Sequence, residues 1–291
     1  MNKDEKVDSK TFFDLVKSAF DKWLANNASL HAASLAYFII LPLPSLFLIA
    51  MIILSQIFGQ MNSFETLMQQ ITTIVGPTVA DLIEQNLGVV SSPFTSVLAS
   101  IVSVVFTIIG AAGAFGVLQD TMNTIWGVSK PKLNYKQKIK RKLAPFLLIS
   151  ILGLIIVIWT GISTFLLESI TILLVPIASN LISILIQVFQ LILSFGFATF
   201  LFAVMYKYIP EVQIKWNDVQ LAAIFTGIIF TITNYLMGII LELFTITSVT
   251  GAAGAIMILL IWIYLITQLV IYGAALSNTY SEKVGSKSKM S

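Results

Sequence analysis

Long apolar runs alternate with short polar stretches along the chain. Six runs, at about 32–58, 94–123, 143–167, 177–206, 219–241 and 251–278, each reach the roughly 20 residues that carry a helix across a ~30 Å hydrocarbon core. Backbone N–H and C=O groups at bilayer depth must be satisfied within the segment that holds them, and a helix does this where an isolated strand cannot. The pattern predicts an all-α polytopic membrane protein, one transmembrane domain of six spans over residues 1–291.

The stretches between and before the spans have patterns of their own. Residues 10–25 place Phe13, Val16, Phe20 and Trp23 on one helical face and Lys10, Asp14, Lys17 and Asp21 on the other, with Thr11 and Asp14 at capping-box spacing. Such a helix lies in the headgroup layer or docks on the end of the bundle. Residues 59–93 read as an external cap of two short helices, with Phe64, Leu67, Met68 and Ile71 on one face and Val79, Leu82 and Ile83 following Pro77. In the first span Pro42 and Pro44 each remove an amide donor and clash with the preceding turn, so a bend is expected there.

Small and polar residues form stripes on several spans. In the second, Ser96, Ser100, Ser103, Thr107, Gly110 and Ala114 follow one another at four- and three-residue steps; in the fourth, Ser183, Gln187, Gln190 and Ser194 do the same. Asn234 lies among Gly227, Thr231 and Gly238 in the fifth span, and Gln268 lies in the sixth. Small residues let helix backbones approach closely and hydroxyls bond across the contact, so each stripe serves as a packing seam or as one wall of a hydrated path. On the second reading Gln187, Gln190, Asn234, Gln268, Ser103 and Thr107 are the path residues.

Composition fits this pattern: 57% of the 291 residues are hydrophobic and 11% charged, with a mean hydropathy of +0.92. That is more apolar surface than a soluble domain can cover. The start of the chain shows no continuous apolar stretch of the kind a cleaved signal peptide needs. Charge then sets orientation. Of seventeen basic residues, five precede the first span, seven lie in 129–142, two lie between the fourth and fifth spans and three follow the sixth. Lys and Arg stay on the cytoplasmic side of short loops, which predicts a multi-pass membrane protein with both termini cytoplasmic. Within the basic loop, Lys136, Lys138, Lys140, Arg141 and Lys142 are candidates for anionic headgroups, each such cation being attracted by about 1 kcal/mol near the surface.

Catalytic chemistry finds little material. There is no cysteine and one histidine, His31, and the carboxylates Asp120, Glu211 and Asp218 lie in different segments without a metal-binding or phosphate-binding motif. No catalytic residue, metal site or cofactor is expected, and the positive charge is explained by orientation without a nucleic-acid partner. Asp120 and Asn123, at the inner end of the second span, are expected at an inner gate, with an ion pair from Asp120 to Lys130 or Lys132 as the plainer role.

Three stretches resemble the YihY/BrkB family of inner-membrane proteins, long filed under the name ribonuclease BN: AASLAYFIILPLPSLF at 32–47, GAFGVLQDTMNTIWG at 113–127 and SVTGAAGAIMILLIWIYLITQLVIYGAALS at 248–277. The spacing of all six spans agrees with that family. Two positions depart from its pattern: Pro42 stands where the family has serine, and Ala275 follows Gly273 and Ala274 where it has a glutamate. The resemblance implies a six-helix inner-membrane protein, and transport of lipid or envelope material is among the roles suggested for the family. With the polar stripes, the expected function is a non-ATPase transporter or flippase-like protein for a lipid or other amphiphile, its path among the second, fourth, fifth and sixth spans, with Pro42 and Pro44 as a hinge. A structural or regulatory membrane protein that binds partners or anionic lipid, and an ion or small-solute channel, are the alternatives. Membrane lipids are the expected partners, and a homo-oligomer is compatible with all three.

Overall fold

The structure, a computed structural model, describes residues 9–42, 93–128, 180–247 and 251–286. The expected third span, the external cap, Pro44 and the basic loop with Lys136, Lys138, Lys140, Arg141 and Lys142 lie outside the described residues. All described regular structure is helical: α1 Ser9–Ala25, α2 Ala28–Ile40, α3 Pro93–Ile125, α4 Asn180–Tyr208, α5 Trp216–Thr247 and α6 Gly251–Lys283. Among the described residues, four stretches are long and apolar enough to cross a bilayer: Val104–Ile125, Ile184–Tyr208, Trp216–Ile240 and Met257–Lys283; Ala28–Ile40 is a shorter apolar helix. The chain is an all-α, multi-pass membrane protein.

Local chemistry explains the ends of these helices. α1 is already helical at Ser9, so Thr11 and Asp14 stand inside it and form no cap. It stops at a pair of asparagines. Asn27 takes a left-handed conformation (φ 49°, ψ 41°), which asparagine tolerates better than most residues, and α2 begins at the next residue, four before the expected start of the first span. α2 ends at Ile40, two residues ahead of Pro42, where proline's missing N–H and ring oppose continuation. At the end of α3, Gly127 has φ 69°, the Val128 amide reaches back to the Asn123 carbonyl at 2.9 Å and the Gly127 amide to Thr124 at 3.1 Å, a glycine-terminated cap that satisfies carbonyls otherwise left open.

The described residues sort into two compact units. The first draws on Met1–Asn26, Gln119–Thr231 and Val270–Ser291, the second on Asn27–Leu118 and Ile232–Leu269. The first unit thus gathers α1, the whole of α4, the carboxyl ends of α3 and α6, and the amino end of α5. The α3, α5 and α6 ends are ones that the charge pattern assigns to one side of the membrane.

In the first unit Leu15, Ala19, Met122, Tyr206, Ile209 and Ile271 are among the fully buried side chains. Tyr206 on α4 donates its hydroxyl to Thr226 Oγ1 on α5 at 3.0 Å. Gly273 of α6 makes room for that pair, since a Cβ at this position would overlap the Tyr206 hydroxyl and Thr226 Oγ1. Gly227 of α5 similarly admits Thr199 and Phe195 of α4. α1 is held by specific bonds. The Tyr272 hydroxyl donates to the Val16 carbonyl at 3.0 Å, Lys283 Nζ to Ser18 Oγ at 2.6 Å, and Phe225 stands between Phe12 and Tyr272 with ring centroids 6.2 and 5.9 Å away.

In the second unit α2 packs on α3 through missing side chains. A Cβ on Gly113 would run into the Phe38 ring, and one on Gly110 into the Pro42 ring. At Gly110, the small-residue stripe of α3 is a packing seam. Thr267 of α6 shares its hydroxyl between its own helix, at the Tyr264 carbonyl (2.8 Å), and the Ala32 carbonyl of α2 (3.1 Å). Away from these contacts the helices present exposed apolar side chains, Leu185, Ile192, Tyr235 and Met257 among them, as lipid-facing surfaces require.

Gly273→Ala puts a methyl group into a filled space between three helices, an overpacking that costs roughly 1–3 kcal/mol. A lowered unfolding midpoint in detergent is the expected outcome. Gly238→Ala, at a glycine where nothing lies within 4 Å of the added carbon, is the control and is expected to leave the midpoint in place or raise it.

Candidate functional site

Polar side chains concentrate in the first unit, in three clusters at helix ends. The first joins α3 to the α4–α5 loop. Pro210 ends α4, its ring being incompatible with further helix, and presents Glu211 in the turn that follows. Asn123, on the last turn of α3 and 7% exposed, pairs with Glu211 twice: its Nδ2 donates to Glu211 Oε2 at 3.1 Å, and its Oδ1 accepts the Glu211 backbone N–H at 2.8 Å. Gln119, one turn earlier and also buried, donates Nε2 to Glu211 Oε1 at 3.3 Å. A carboxamide can offer a donor and an acceptor to the same residue, so this pairing selects asparagine at position 123.

The second cluster surrounds Asp218 in the first turn of α5, where 1% of the residue is exposed. Its Oδ1 accepts the Ser286 backbone N–H at 2.9 Å. Its Oδ2 accepts the Ser281 hydroxyl at 3.2 Å and that of Ser286, and its backbone carbonyl accepts Ser277 Oγ at 3.0 Å. The amino end of α5 adds a favourable dipole for the negative charge. Nearby, Lys207 Nζ donates to the Ile214 carbonyl at 2.8 Å and lies 4.9 Å from the Trp216 ring centroid, which ties the two ends of the α4–α5 loop together. The third cluster is Lys22 of α1, bonded to Asn278 Oδ1 and, at 2.7 Å, to Glu282 of α6.

Buried polar atoms without a hydrogen-bond partner among the described residues occur in both units: Trp23 Nε1, Thr199 Oγ1, Asn278 Nδ2 and Thr279 Oγ1 in the first, and Thr107 Oγ1 on α3 with Trp262 Nε1 and Gln268 Oε1 on α6 in the second. An unsatisfied polar group in an apolar environment costs several kcal/mol in the hydrocarbon limit, with ~1–3 typical of protein measurements, so such atoms call for water or a polar ligand group.

The structure treats the expected site residues unequally. Asn123 enters the Glu211 cluster, whereas Asp120 is exposed and takes part only through its carbonyl, which accepts Thr124 Oγ1 at 2.7 Å. Lys130 and Lys132 lie outside the described residues. Thr107 Oγ1 and Gln268 Oε1 are among the buried atoms without a partner in the described residues. Gln190 and Asn234 are exposed on α4 and α5. Ser103 and Gln187 belong to α3 and α4, with side chains outside the described set. Pro42 is buried, close to Gly110. Sequence reasoning counted Glu211 and Asp218 as scattered carboxylates and missed their partners. The available signals were Pro210 before Glu211 in a short loop, and Ser277 and Ser281 one helical turn apart. Among the described residues no group of three or more His, Cys, Asp or Glu is placed to hold a metal ion.

Comparison with known proteins adds a family. A sequence profile of the virulence factor BrkB family matches residues 19–291. A UPF0761 membrane protein of Psychrobacter sp. (strain PRwf-1) is 25% identical over 282 residues, 92% of this chain and 48% of that protein. One from Azotobacter vinelandii is 28% identical over 164 residues, 55% of this chain and 37% of its own length, and one from Idiomarina loihiensis is 30% identical over 82 residues, 28% of this chain and 29% of its own. The chain therefore spans about half the length of the first of these relatives and less of the others. No solved structure matches.

Replacing Asn123 by aspartate turns the pair with Glu211 into two facing carboxylates and removes a donor, for an expected loss of roughly 1–3 kcal/mol. Adding Glu211→Gln to Asn123→Asp restores a donor and relieves the charge, so the double variant is expected to unfold later than Asn123→Asp alone. A double-mutant cycle of unfolding midpoints in detergent measures that coupling.

Proposed function

Because this chain belongs to the BrkB family of membrane proteins, we propose that it is a non-ATPase transporter of flippase type, passing the polar part of a lipid or other amphiphile through the membrane. The observation that supports this most is the open hydrogen-bonding capacity of Thr107 Oγ1, Trp262 Nε1 and Gln268 Oε1 in the second unit. A headgroup or the water that accompanies it would satisfy these atoms, while the acyl chains travel in lipid along the exposed apolar helix surfaces. Gln187, Gln190, Asn234 and Ser103 are the further path residues of this proposal. In the first unit, the Gln119–Asn123–Glu211 cluster serves as the gate in its closed form, and Asp120 stands at its mouth. The bend at Pro42 and Pro44 is the hinge, and the basic residues Lys136, Lys138, Lys140, Arg141 and Lys142 hold anionic headgroups on the cytoplasmic side of the inner membrane, where both termini lie. Non-enzymatic action is part of the same proposal.

A second reading has its own support. The clusters around Glu211, Asp218 and Lys22 tie helix ends together, as a scaffold that presents a surface to partner proteins would need.

Purified protein in liposomes with a fluorescent phospholipid separates the two. Transport predicts faster crossing than in empty vesicles, and Gln268→Leu is expected to slow it about tenfold, the equivalent of one hydrogen bond of ~1.4 kcal/mol lost from the rate-limiting step. Glu211→Gln, by loosening the gate, is expected to speed it. No acceleration for any phospholipid headgroup tested, together with a Gln268→Leu variant that is only more stable, would favour the scaffold.

A further inference from the structure

α1 carries two opposite faces, and among the described residues only one of them is occupied by protein. Leu15 and Ala19 are fully buried, and on the same side Ser18 and Lys22 bond to Lys283, Asn278 and Glu282 of α6. Phe13, Phe20 and Leu24 are 68%, 48% and 54% exposed. Steps of seven and four residues bring these three within roughly 40° of one another on a helix of 3.6 residues per turn, about half a turn from the docked side. One edge of this apolar stripe is charged, with Asp14, Lys17 and Asp21 all exposed, and the other holds the half-buried Trp23, its ring stacked on Phe20 at 5.5 Å.

We infer that the Phe13–Phe20–Leu24 face of α1 is inserted into the boundary between hydrocarbon and headgroups of the bilayer that the chain spans, in the leaflet at the carboxyl end of α6. The occupant follows from what α1 is attached to. Its docked side is bonded to α6 from Tyr272 to Lys283, the closing stretch of a membrane-crossing helix, and the end of such a helix marks the depth of the interface. A helix held at that depth meets lipid on its free side. The side chains suit that position: aromatic and leucine side chains on the lipid side, and carboxylates and an ammonium along the edge toward water. The apolar stripe is one residue group away from the face read off the sequence, because Val16 faces partly inward and Leu24 takes its place on the outer side.

The inference stands independently of the transport reading. The chain contains no cysteine, so single cysteines at Phe13, Phe20, Leu24, Asp14 and Asp21 can each carry a nitroxide in protein reconstituted into vesicles of phosphatidylcholine and phosphatidylglycerol. Insertion predicts that labels at 13, 20 and 24 collide with oxygen several-fold more than with a water-soluble nickel chelate, and that labels at 14 and 21 show the reverse. Nickel access at 13, 20 and 24 equal to that at 14 and 21 would place the face in water. Dipolar broadening at those three sites, lost on dilution with unlabelled protein, would mean that a second copy covers it. Either result overturns the proposal, and three reporters on exposed positions guard against the loss of any one variant.

Discussion

Hydrogen-bond satisfaction away from water is the constraint on which this structure depends. Inside a bilayer the chain has no solvent to fall back on, and every polar atom left open carries a penalty that a soluble protein would relieve by exposure. The backbone meets the constraint by being helical through the described apolar spans. The side chains meet it by pairing at helix ends, where the last carbonyls, the first amides and the loop groups also need partners. Asn123 with Glu211, Asp218 with the serines of α6, and Lys22 with Asn278 and Glu282 are three solutions to one problem. They use the same ends that the chain must bring together to close its loops.

Between those ends the helices are held by shape. Gly273 leaves room for Tyr206, Gly227 for Thr199, Gly113 for Phe38 and Gly110 for Pro42. In a solvent as apolar as leucine, helices gain little from burying methyl groups against each other, and close approach with good van der Waals contact takes over. This accounts for two features of the sequence with one cause. Glycine and alanine recur along the spans, and the bulky aliphatic residues largely face outward. Proline plays a matching part at Pro42, where the ring packs near Gly110 just beyond the end of α2. Among the described residues the buried polar atoms that escape pairing lie in both units, Thr199 Oγ1 and Thr279 Oγ1 as well as Gln268 Oε1 and Thr107 Oγ1.

Membership of the BrkB family agrees with the membrane architecture and brings no reaction with it. Ala275, near the carboxyl end of α6, is fully buried. Two residues on, Ser277 begins the hydroxyl set that surrounds Asp218. The carboxylate those hydroxyls meet, Asp218, is contributed by α5. Its partners are neutral hydroxyls, a backbone amide and a helix amino end, an arrangement that holds a negative charge with little exposure to water.

Hydropathy and charge along the chain were enough to find helices at α3, α4, α5 and α6 and to group their ends, because the period of the pattern and the length of a span are local properties. The αL turn at Asn27 and the cap at Gly127 were not read from the sequence, although each rests on a few consecutive residues. The amphipathic face of α1 was legible only in outline, since which of two apolar edges turns inward depends on where Ser18 and Lys22 find partners on α6. The clusters themselves were not readable. Asn123 and Glu211 are 88 residues apart, Asp218 and Ser281 63, and Lys22 and Asn278 256. A stripe of serines and glycines looks the same whether it lines a path or a packing seam. Periodicity says which residues share a face of one helix, and only the packing of helices decides what that face meets.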